Sequence, residues 1–247
     1  MLGAALLALA IGHLSPAVSQ DKTAEPAIPE SQLDASIRNF IMRNPQVIKD
    51  ALANASATEE LERTKRILRE KSDALYRSDS PTLGAPDAKI SIIEFFDYNC
   101  PYCRKSYPAL KQFISLNPNV RIVLKDIANL GKESEAVARL ATAARRQNKF
   151  QPFHDALMER QGRTTESAAF ELARKLGMDI DLLRKDAASA ATAKTLEMTR
   201  SLAGGLTVEG TPLFIIGHSG IAGAPDDLVA QITKFVEQIR KSGCDVC

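Results

Sequence analysis

The chain has 247 residues, 45% hydrophobic and 25% charged, with 32 Lys+Arg against 30 Asp+Glu and 9 Phe but no Trp. This is globular composition with enough chain for one full core and an appendage. Near-balanced charge, with no basic block interleaved with aromatics, excludes nucleic acid as a partner class.

The first stretch, "MLGAALLALAIGHLSPAVSQ", is a short apolar run closed by Pro16 and the small-x-small Ala17-Val18-Ser19. It reads as a secretory signal over residues 1–19, cleaved after Ser19, so the mature chain is expected to be exported. Residues 20–32 are a polar, Pro-containing linker. From 33 to 78 the pattern is that of a helical arm: Leu33, Ile37, Phe40 and Ile41 form a stripe that ends at Asn44-Pro45. Ser56-x-x-Glu59 reads as a capping box opening a third helix, in which Leu61, Leu68 and Leu75 recur every seven residues. So narrow a stripe cannot build its own core, and its solvated flanks favour another subunit as the cover, giving a homo-dimer or homo-trimer through residues 33–76.

After the turn "SDSPTLGAPDA" the period changes. Ile90–Phe96 reads as a buried strand, a helix follows from the Cys100-Pro101-Tyr102-Cys103 motif, and Val120–Lys125 reads as a second, parallel strand. An Ala-rich all-helical insertion occupies about 127–207, and strand signals return with "TPLFIIG" and "GIAG" before an amphipathic last helix. The main domain thus runs over 79–243, leaving a second Cys-x-x-Cys, Cys244 to Cys247, as a tail over 244–247. Gly243 ends the last helix, so the tail is expected to be exposed and flexible, with a local disulfide or a redox shuttle as its two readings.

All four cysteines lie in these two pairs, which is not the spread pattern of a disulfide-stapled scaffold. At the head of a helix, unpaired N–H groups and the positive end of the dipole favour a thiolate, making Cys100 the candidate nucleophile and Cys103 the resolving thiol. Pro101 suits the first helical turn. Alternation in the preceding strand puts Glu94 on the apolar face with Ile90, Ile92 and Phe96, as a buried acid able to relay the Cys103 proton or as half of an ion pair, with Lys125 as the partner. Metal chemistry remains open: four sulfurs suit zinc, although zinc pairs sit in knuckles, and two thiolates suit copper(I). His154 and His218 read as surface or loop residues.

"IIEFFDYNCPYC", with the later "VEGTPLFIIG", resembles the DsbA family of exported thiol:disulfide oxidoreductases, over roughly 83–241. The arm "LDASIRNFIMRNPQVIKDAL" resembles the branch related to suppressor of copper sensitivity protein C. The resemblance implies an α/β thioredoxin fold with an all-helical insertion, preceded by a helical oligomerisation arm, and no cofactor. It implies exchange at Cys100 and Cys103, Glu94 as the buried acid, and a cis-proline at Pro212 preceded by Thr211, whose backbone faces substrate. Pro101, Tyr102, Thr211 and Pro212 are then the substrate-binding candidates. The implied partners are cysteine-containing protein substrates and a membrane redox partner. Tyr102 with Thr211 looks more like isomerases and reductases than like oxidases; a DsbA-type oxidase and a copper-binding periplasmic protein are the alternatives.

Overall fold

The computed structural model describes residues 29–77 and 80–246. The expected signal sequence, most of the linker and Cys247 lie outside the described residues. The chain divides into two compact units, 1–56 and 57–247.

In the first unit, α1 (Glu30–Arg43) has no buried residue, and Leu33, Ile37, Phe40 and Met42 are exposed. It stops at Asn44, whose side chain donates to the Phe40 carbonyl at 2.8 Å, because Pro45 opens α2 (Pro45–Glu70). The third helix expected at Ser56 does not exist: α2 runs unbroken through Ser56 and Glu59. The Ala-rich stretch across that point holds good helix formers and no Gly or Pro, so nothing obliges the capping box to act as a start.

The second unit is built on a five-stranded sheet in the order β1-β3-β2-β4-β5, with β1 (Thr82–Leu83), β2 (Ile90–Phe96), β3 (Val120–Asp126), β4 (Leu213–Ile216) and β5 (Ser219–Ala222). β2 and β3 are parallel, joined by α3 (Pro101–Leu116); the other pairs are antiparallel. Between β3 and β4 lies the expected insertion: α4 (Lys132–Ala144), α5 (Phe150–Glu159), α6 (Glu166–Lys175), α7 (Ile180–Ala187) and α8 (Ala190–Gly205). The last helix is α9 (Leu228–Ser242). This is a thioredoxin fold with a helical insertion, as the family resemblance implied.

β1 was not expected; its two residues lie in the stretch read as a turn. It ends at Gly84, where φ is +90° and a Cβ would stand 2.8 Å from the Val120 carbonyl oxygen, so glycine alone lets the edge strand approach β3.

The two faces of the sheet have different covers. Ile90, Ile92 and Phe96 pack with Tyr107, Leu110 and Phe113 of α3, the α4–α7 helices, and Ile232 and Val236 of α9. Ile93, Phe95 and Ile215 point the other way and pack with Leu68, Leu75 and Tyr76. The seven-residue stripe therefore divides. Leu61 is exposed, but Leu68 and Leu75 are core residues of their own domain, each contributing about 1.5–3 kcal/mol by burial, and are not free to meet another subunit.

The tail corrects a second expectation. Val246 is buried in this same cluster, and Cys244 is disulfide-bonded and packs against it. Asp245 accepts from Arg69 Nε at 3.1 Å and lies 2.7 Å from His218 Nε2. Cys244 to Val246 are thus held at the β4–β5 turn rather than lying free of the domain.

Candidate active site

β2, buried along its whole length, delivers the chain to a turn over Asp97–Asn99, and Cys100 is the N-cap of α3. Buried Asp97 organises the turn: its Oδ1 accepts from Asn99 N at 2.7 Å and Ser134 Oγ at 2.8 Å, and its Oδ2 from Leu130 N at 3.0 Å. Asn99 ties the turn to the insertion, accepting from Thr164 N at 2.7 Å and donating to the Thr164 carbonyl at 3.0 Å. Arg104 reaches back from the helix, Nε to the Tyr98 carbonyl at 2.7 Å and Nη2 to Thr164 Oγ1 at 2.8 Å. Sequence reasoning missed these positioning residues. The signal was present in Asp-x-Asn ahead of a helix start, the pattern of a side chain capping the backbone two residues on.

Cys100 and Cys103 are both free thiols and both buried. Pro101 holds the first helical position, where a missing N–H loses no bond, and Tyr102 projects outward, 59% exposed. The Thr211–Pro212 peptide is cis and brings the Thr211 carbonyl oxygen to 3.1 Å from Cys100 Sγ. The protonated thiol can donate across that contact. The thiolate is held first by the Cys103 thiol, then by the Thr211 side-chain hydroxyl, and then by the backbone N–H groups of Cys103 and Tyr102 at the helix entrance. These outweigh the opposing burial and bring Cys100 down to about 5. For Cys103 burial dominates and pushes the thiol far above its ordinary value, with its role as donor to Cys100 adding to the shift. One sulfur is thus held charged and the other neutral.

Glu94 is buried beneath them. Its register with Leu124 and Phe214 puts it on the α3 side of the sheet, and its Oε1 has no hydrogen-bond partner among the described residues. Burial, and then the negative charge of Cys100, push its carboxyl up to about 8. Lys125 is not its partner. It is in register with Phe95, which turns its side chain to the opposite face, where Nζ donates to the Ala74 carbonyl at 2.6 Å and to Ser80 Oγ at 2.8 Å. A one-residue offset between parallel strands reverses the face.

His154 is not a surface residue either. It is buried in α5 among Phe96, Tyr107 and Phe150, its Nδ1 lies 2.8 Å from Tyr98 Oη, and burial lowers its imidazole to about 3. His218 sits in the β4–β5 turn, held to Asp245. No group of three or more metal-ligating side chains occurs among the described residues. None of the described helices is long and apolar enough to cross a membrane.

The model of the DSBA-like thioredoxin domain matches residues 91–232. A thioredoxin-like oxidoreductase from Silicibacter pomeroyi DSS-3 is 34% identical, with a TM-score of 0.66 over 69% of this chain and 98% of that one. Proteus mirabilis ScsC in a transitional conformation is 26% identical, with a TM-score of 0.64 over 86% of this chain and 97% of that one. Among curated relatives, the Na(+)/H(+) antiporter NhaA 1 of Salinispora arenicola is 27% identical over 54% of this chain but 21% of its own length. The chain therefore spans about a fifth of that relative. With the domain model covering more than half of its residues, the chain belongs to the DSBA-like thioredoxin domain family.

Proposed function

We propose that the protein exchanges disulfides with cysteine-containing protein substrates, with Cys100 attacking, Cys103 resolving and Glu94 handling the proton. The observation that carries this reading is Cys100 Sγ at the head of α3, brought down to about 5 and set 3.1 Å from the carbonyl of Thr211, which precedes the cis-proline. In the reducing direction the Cys100 thiolate attacks one sulfur of a substrate disulfide. A Cys100–substrate disulfide forms, and the other substrate sulfur leaves as a thiolate and takes up a proton. The Glu94 carboxyl releases its proton to solvent, the resulting carboxylate takes the proton of Cys103, and the Cys103 thiolate attacks Cys100. The enzyme disulfide forms, the second substrate sulfur is released, and two electrons have moved to the substrate. In the mixed disulfide Cys100 carries no charge, so the repulsion that helps hold the Glu94 proton is relieved as Cys103 must lose its own.

The finer reading is an isomerase or reductase. In isomerisation a substrate thiol, not Cys103, attacks the mixed disulfide, and no net electrons move. Tyr102 and Thr211 favour this direction by family resemblance. The exposed Leu33, Ile37 and Phe40 of α1 support assembly into a dimer or trimer, in which several dithiols face one substrate at high effective concentration. Export to the periplasm and recharging by a membrane redox partner complete the proposal. Copper(I) held by both sulfurs is the competing reading, and it needs Cys103 ionised against its burial.

Equilibration with a glutathione redox buffer, with and without stoichiometric copper, tests exchange. A reversible two-electron titration unaffected by copper supports it, and tight copper retention with no titration removes it. Refolding of a scrambled substrate, with sedimentation of the full chain, tests isomerisation and assembly.

A further inference from the structure

A cleft of about 660 Å3 opens beside the dithiol, and its wall includes Asn99 and Pro101, the chain neighbours of Cys100. Its opposite wall is the loop after α5, and three guanidinium groups, those of Arg104, Arg160 and Arg163, contribute to the lining. None of the three has a carboxylate within ion-pair distance among the described residues. Arg104 spends its donors on the Tyr98, Arg160 and Gly162 carbonyls, the Asn99 amide oxygen and the Thr164 hydroxyl. Arg160 donates to the Gln161 and Arg163 carbonyls, and Arg163 to the Leu130 carbonyl. Neutral acceptors fix these side chains in place without pairing their charge, and Asp97 and the Cys100 thiolate act on Arg104 only from beyond ion-pair distance. Glu159, the one carboxylate of the lining, is held at 2.8 Å by Lys111, and Lys105 is paired with Asp226 at 2.9 Å.

We propose that this cleft takes carboxylate side chains of the substrate polypeptide, on residues flanking the attacked cysteine, so that acidic segments are the preferred substrates. This rests on the exchange reading above and names the substrate class of the same site. An extended peptide advances about 3.3 Å per residue, so a side chain a few positions from the sulfur bonded to Cys100 lies over the cleft. Charge complementarity there offsets the repulsion that the Cys100 thiolate exerts on an acidic substrate. Arg160 and Arg163 are pre-ordered by their carbonyl bonds, which reduces the ordering cost of binding.

The test compares the full-length protein acting on three disulfides: a peptide with Asp and Glu around its cystine, the same peptide with Asn and Gln, and the uncharged hydroxyethyl disulfide as the normalising substrate. At low salt the acidic peptide is expected to react about 3- to 10-fold faster than the neutral one, from two or three partly exposed charge pairs. The ratio should approach one at high salt and in the Arg160→Gln/Arg163→Gln double variant. The Arg160→Lys/Arg163→Lys variant keeps the charge without the forked bonds and should keep the preference. A ratio near one in the wild type, or one that survives the double Gln variant, overturns the proposal. Equal loss in the Gln and Lys variants also overturns it, by assigning the effect to loop shape. Failure of the wild type to exchange the uncharged disulfide would overturn the exchange reading instead.

Discussion

The two Cys-x-x-Cys motifs have the same spacing and opposite surroundings. Cys100 caps the N-terminus of α3, where the helix dipole and backbone N–H groups stabilise negative sulfur. Cys244 follows the C-terminus of α9, where the dipole has the other sign, and Asp245 adds a carboxylate beside it. The first pair consists of free thiols, one brought down and one pushed up, whereas Cys244 is already disulfide-bonded. The tail is also remote from the dithiol along the sheet. It is anchored at Gly217–His218, while Thr211 lies at the other end of β4, roughly 20 Å of extended chain away. This geometry removes support from a tail shuttle and leaves the tail as a structural clasp. Spacing alone did not decide the chemistry; position relative to a helix end did.

The sharpest way to break the comparison is to exchange the sulfurs for oxygen. Cys100→Ser should reduce exchange by at least about 10^3-fold, while Cys103→Ser accumulates trapped mixed disulfides visible on non-reducing gels. Cys244→Ser should leave the exchange rate within about twofold of wild type. A comparable loss at Cys244 would make the tail a second redox centre.

Glu94→Gln comes next. A carboxyl raised from 4.5 unfolded to about 8 folded keeps its proton in the native state while the unfolded chain releases it. Its contribution to stability therefore falls as pH rises through that window, and by neutral pH burying it costs about 3 kcal/mol relative to acid conditions. The variant should be more stable than wild type at neutral pH, with the gain vanishing near pH 4 in denaturant titrations, and should resolve mixed disulfides more slowly. A gain independent of pH would mean that Glu94 is ionised in the fold.

Val246→Ala should cost about 1–3 kcal/mol in the same titrations if the tail is a clasp, because it removes buried side-chain volume from the cluster that holds Leu68 and Ile215. Asp245→Asn should cost less than about 1 kcal/mol, since its pairs with Arg69 and His218 are half exposed. Finally, thiolate absorbance should titrate with a midpoint near pH 5 for Cys100, and the midpoint should move upward in Cys103→Ser if serine fails to replace the donated bond. An ordinary thiol midpoint in the wild type would erase the difference between the two motifs.

Much of this site was legible in local sequence. Alternation from Ile90 to Phe96 set Glu94 on the apolar face, and a proline after Cys100 marked a helix start, because these patterns depend on neighbours a few residues apart. Lys125, His154 and Val246 were misread because their environments come from elsewhere in the chain. Lys125 depends on strand register, His154 on aromatic residues of β2, α3 and the adjoining turn, and Val246 on a buried cluster that includes Leu68 and Ile215.

Composition, periodicity and the Cys-Pro-Tyr-Cys motif determined by themselves an α/β domain with a dithiol at a helix head, since helix entry and strand alternation are short-range properties of the chain. Tertiary structure alone decided how far burial holds the Cys103 thiol neutral, which face the lysine takes, and that the arginines of the loop after α5 stand across a cleft from Pro101. Each of these depends on desolvation and charge summed over residues distant in sequence, which no local pattern encodes.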